Sequence, residues 1–118
     1  HRPAQSGRGE VALYKTSEVA RFSERGPVPR PLKVGEHMAV MLLCLQSHQE
    51  IVAPENDAAE TIFTVLAGSG TIREGEQVHD VGPGDVVYMP PGTRKALRAG
   101  EGTFTVVGVR QLGAKHAP

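Results

Sequence analysis

The chain has 118 residues, enough for one domain with a modest core and too few for a second. Thirteen basic and thirteen acidic side chains cancel, so no global field draws in nucleic acid or an anionic membrane surface. A single cysteine, Cys44, rules out an internal disulfide framework. It fits a reducing cytoplasm. The apolar run Met38–Leu45 is too short to cross a bilayer, and the first residues lack a basic-then-apolar secretory pattern. The expectation is a soluble cytoplasmic protein with no nucleic-acid or membrane partner.

Residues 1–36 read as a loose arm followed by an edge segment. Val11–Tyr14 has the composition of a short first strand. Thr16 or Ser17 can cap a brief helical turn over Glu18–Phe22, because a hydroxyl there accepts from the free amides at a helix start. Gly26-Pro-Val-Pro-Arg-Pro31 cannot be helical, since each proline removes an amide donor and restricts the residue before it. An extended edge segment is expected there.

From Glu36 onward the apolar residues either alternate or run together, and clusters of Gly, Pro, Asn and Asp bound each stretch. This predicts short strands at about 37–46, 49–53, 61–67, 70–74, 77–81, 85–89, 94–99 and 103–110. Between Ala67 and Thr93 the glycines and prolines leave no window of helical length. Eight such strands are expected to close a small barrel and so remove exposed sheet edges. The barrel is placed at 37–110 and a tail at 111–118. Ala67-Gly-Ser-Gly70, Arg73-Glu-Gly-Glu76 and Gly82-Pro-Gly-Asp85 each read as a reversal between strands.

Two stretches carry more than a strand pattern: Glu60-Thr-Ile-Phe-Thr-Val-Leu-Ala-Gly68 and Gly84-Asp-Val-Val-Tyr-Met-Pro-Pro-Gly-Thr-Arg-Lys95. Together they resemble the paired motifs of the cupins, small all-β jelly-roll barrels that usually hold a metal through histidines and a glutamate. The first cupin motif reads His-x-His, three or four residues, Glu, six residues, Gly. Counting back from Gly68 puts Thr61 at the glutamate place and Asp57 and Glu55 at the histidine places. In the second motif Gly84, Pro90 and Gly92 fall on family positions, and Lys95 stands where the last histidine belongs. All four ligand positions have changed, so no metal and no other cofactor is expected.

Alternate side chains of a strand share a face, so Thr61, Phe63 and Val65 go together, as do Lys95, Leu97 and Ala99. The resemblance turns both sets inward and leaves Arg94 and Arg98 outside. It implies a ligand site of Glu55, Asp57, Thr61, Phe63 and Lys95. There the ammonium of Lys95 would replace the metal's charge, neutralised by Asp57 or Glu55, or would anchor a carboxylate ligand. A solvated Glu55–Asp57 turn and a Lys95 that snorkels out of the barrel mouth are the plainer readings of the same residues.

The function expected from this is binding of a small polar or anionic molecule in the barrel. The alternative is a cupin enzyme, using either acid–base chemistry at Lys95 with a carboxylate or a metal held by carboxylates with His48 and Glu50. A third possibility is a barrel filled by its own side chains, with an interaction role at the surface. Catalytic residues are not assigned. Small cupins commonly dimerise, so a homodimer is expected, with the arm and the Met38–Leu45 strand as its material. Ser69 lacks a nucleophile-elbow sequence around it, and Cys44 reads as a small buried apolar group.

Overall fold

The structure is a computed structural model in which residues 10–53 and 58–112 are described. One short helix, α1 (Thr16–Val19), precedes seven strands among these residues. The strands are β1 (Val28–Val34), β2 (Met38–Gln46), β3 (Glu50–Ala53), β4 (Thr61–Glu74), β5 (Gln77–Val81), β6 (Val86–Met89) and β7 (Lys95–Gln111). No helix among the described residues is long and apolar enough to cross a membrane.

Two expectations near the N-terminus fail. Val11–Tyr14 forms no strand, and Val11 and Leu13 stay 96% and 78% exposed. Helix α1 starts earlier than expected, with Lys15 at the cap and no side-chain cap bond. Four residues cannot sustain a helix by propensity alone; Arg21 holds the turn from outside by donating from Nη1 to the Glu18 and Ala20 carbonyls at 3.0 and 2.7 Å.

The all-β expectation holds, but its strand count is corrected. The expected segments 61–67 and 70–74 are the two ends of β4, and 94–99 and 103–110 are the two ends of β7. These long strands pair antiparallel from Thr61↔Arg110 to Glu74↔Lys95, with register shifts between Val65 and Ala67 and between Gly68 and Gly70. The glycines that read as a hairpin therefore mark a bulged bend inside one strand. Gly68 has φ +78, and a Cβ there would overlap the Thr103 carbonyl oxygen; one at Gly70 would overlap the Arg98 carbonyl oxygen.

Each bent strand serves two sheets. One sheet runs β1, β2, the C-terminal half of β7, the N-terminal half of β4, then β6. The other runs β3, the N-terminal half of β7, the C-terminal half of β4, then β5. A single core fills the space between them, drawing Leu43, Phe63, Val65, Met89, Phe104 and Val106 from the first sheet and Ile72, Val81, Leu97 and Ala99 from the second. Strand β2 is buried on both faces, with Leu42 and Cys44 on one and Leu43 and Leu45 on the other, which is why its sequence is a continuous apolar run.

The expected closure does not occur through hydrogen bonds. Among the described residues β1, β3, β5 and β6 each pair with one strand only, so edges remain there. Their protection is local: β1 carries Pro29 and Pro31, which cannot donate outward, and β3 and β6 are four residues long.

Candidate ligand site at the open end of the barrel

Because β4 and β7 both fold back near their middles, the two ends of each strand return to the same open end of the sandwich. Thr61 and Arg110 pair at that end of one sheet, and Glu74 and Lys95 pair at that end of the other. The inward face alternates as a pleated strand must. Thr61, Phe63 and Val65 are buried while Ile62 is exposed, and Lys95, Leu97 and Ala99 are buried while Arg98 is exposed.

Lys95 is 3% exposed, the only buried residue among the described ones that carries a formal charge. Its Nζ donates to the Thr93 carbonyl at 3.4 Å, and Lys95 makes further contacts beside that bond. Ala53 and Glu74 are its cross-strand neighbours. Thr61 is 5% exposed and lies between Met89 on β6 and Arg110 on β7. Phe63 belongs to the core, where its ring covers the backbone at Gly108. Glu55 and Asp57 lie outside the described residues.

Two residues at this end were not singled out from the sequence. Glu74 reads there as part of a turn, yet it is in register with Lys95 and so shares its face. Its carboxylate lies 3.9 Å from His79 Nε2. Arg110 reads as the end of a strand, yet its pairing with the buried Thr61 and the buried Ala39 places it on the inward side. Only the register of the folded-over strands reveals either residue.

His48 and Glu50 are elsewhere. His48 is an exposed turn residue with φ 67. Glu50 is paired with the outward-facing Arg98 and lies 3.8 Å from Arg73 Nη2.

A matching profile for the cupin domain covers residues 41–108. The chain belongs to the cupin family. No curated protein matches this cupin. Solved structures similar to it include TT1209 from Thermus thermophilus, at 20% identity over 84% of this chain and 95% of that one, with a TM-score of 0.78. An uncharacterised conserved protein with a double-stranded β-helix domain from Klebsiella pneumoniae is 21% identical over 89% and 93% of the two chains, TM-score 0.79. An RmlC-like cupin from Desulfovibrio desulfuricans is 22% identical over 85% and 96%, TM-score 0.75. At these identities the likeness is one of fold.

A metal is the usual guest of the cupin fold, and the described residues do not fit one. At the family's ligand places stand a threonine hydroxyl and an ammonium, and an ammonium has donors but no lone pair to offer. Among the described residues no three His, Cys, Asp or Glu side chains come together in a metal-holding group.

Proposed function

We propose that this cupin binds a small polar or anionic molecule inside the open end of its barrel, with Lys95 as the anchor. The observation that carries this reading is the burial of a lysine, 3% exposed, at an inward position beside an apolar core. A buried ammonium is costly unless something compensates it, and protein carboxylates and a ligand anion can share that role. Thr61 adds a hydroxyl that donates or accepts, and Phe63 an aromatic wall. Glu55 and Asp57 act in this reading as counter-charges to Lys95, alongside Glu74.

Calorimetric titration with a panel of short carboxylates, from acetate to succinate and malonate, tests it. At least one is expected to bind the wild-type protein, and Lys95→Met is expected to weaken it about tenfold or more, the range of one charge-assisted hydrogen bond. A Lys95→Met protein that is more stable than the wild type and binds the same anions unchanged would remove Lys95 from the site. Thr61→Val should give a smaller loss, about threefold to tenfold, for loss of a neutral hydrogen bond.

A further inference from the structure

A cleft of about 370 Å³ opens at the rim where β2 and β4 begin and β6 and β7 end. It borders the barrel interior at Thr61 and Arg110 but extends over the outer face of the sheet, away from Lys95. Its apolar row is Tyr88, Ile62 and Val109, which pair across β6, β4 and β7. These face the outside of the sheet, and Ile62 and Tyr88 remain 44% and 52% exposed. Two opposite charges line the same cleft, Glu60 at the start of β4 and Arg110, which reaches the rim from the inward side of β7.

Glu60 is held in place, and Arg110 has a partner of its own. The Gln111 amide donates to the Glu60 carbonyl at 3.1 Å, tying the start of β4 to the end of β7. The Tyr88 hydroxyl donates to Glu60 Oε2 at 2.6 Å. Donating that bond, together with the carboxylate's charge, holds the Tyr88 phenol above its ordinary range, so the tyrosine stays a donor at neutral pH. Among the described residues no other donor is bonded to the Glu60 carboxylate. Arg110 has five N–H donors in a planar fork, enough to serve a protein partner and a ligand together.

We infer that this rim cleft is a second binding site, and that it takes a small zwitterion with an apolar body, such as an amino acid with an aromatic or aliphatic side chain. The ligand's carboxylate meets Arg110, its ammonium meets Glu60, and its side chain lies on Ile62, Val109 and the Tyr88 ring. A simple anion would gain Arg110 but be repelled by Glu60, and a simple cation would suffer the reverse. The volume falls at the small end of ligand pockets, which suits a molecule of this size.

Titration of the full chain with phenylalanine, hydrocinnamate and phenethylamine, followed by amide chemical shifts, separates these cases. Phenylalanine is expected to shift the Ile62, Tyr88 and Gln111 amides saturably, at about tenfold lower concentration than either half-ligand. Arg110→Met should make phenylalanine and phenethylamine bind alike, and Glu60→Gln should make phenylalanine and hydrocinnamate bind alike. Half-ligands that match phenylalanine, saturable shifts elsewhere, or no saturable shift at all would each overturn the inference. Should Arg110→Met fail to fold, the three-ligand comparison on the wild type decides the question alone. Anion binding at Lys95 is told apart by its shifts at Lys95 and Ala96, which do not line the cleft.

Discussion

Gly68→Ala is expected to destabilise the protein by about 4 kcal/mol or more, combining a backbone collision with an unfavourable φ. The backbone at Gly68 has φ +78, and the added methyl would run into the Thr103 carbonyl oxygen and close on its carbon at 2.8 Å. Those are main-chain atoms of the paired strand β7, so no side-chain rotation relieves the contact. The strands would have to part where both bend. Thermal unfolding should show a midpoint lower by roughly 15 °C. Gly75→Ala is the matched control: Gly75 has φ +59 but nothing lies within 4 Å of an added Cβ. It should cost only about 1 kcal/mol. If the two variants unfold alike, close approach at the bend does not shape the fold.

Phe104→Ala is expected to cost about 3–5 kcal/mol, the range for emptying a fully buried aromatic site. Phe104 is 0% exposed and sits just past the bend of β7. Its ring edge lies 2.8 Å from where a Cβ at Gly70 would be, so it fills the closed end of the barrel beneath the bend of β4. It joins residues of both sheets in one core. Urea unfolding would measure the loss. Phe22, 38% exposed outside the sheets, is a comparison site where alanine should cost under about 1 kcal/mol. Equal losses at the two positions would mean that the space between the sheets is not the stabilising core.

The sequence pattern was most legible where a strand is short and ends at a real reversal. Gln77–Val81 and the Gly84 turn before Val86 follow directly from alternation and positive-φ glycines. It was least legible where the same residues mean two things. Gly68-Ser-Gly70 satisfies a hairpin as well as a bend, and only the close approach of Thr103 and Arg98, far along the chain, selects the bend. Val11–Tyr14 has strand composition, but composition alone supplies no partner strand.

The site divides in the same way. Thr61, Phe63 and Lys95 could be assigned to faces by counting in twos, because that rule is local. Glu74 and Arg110 depend on which residue of β7 meets which residue of β4, and a register offset by bulges cannot be counted from either segment alone. The Glu60–Tyr88 bond likewise joins the two motifs through residues 28 positions apart.

In the function proposed for this cupin, the fixed charge of Lys95 stands where relatives of the fold place a metal. Elemental analysis for Mn, Fe, Ni, Cu and Zn on tag-free protein purified without chelator, followed by titration with each metal, tests it most directly. Metal is expected to be substoichiometric, and none of the five is expected to raise the unfolding midpoint. A stoichiometric metal that stabilises the wild type, and is lost when Glu55, Asp57 or Thr61 is replaced, would contradict it.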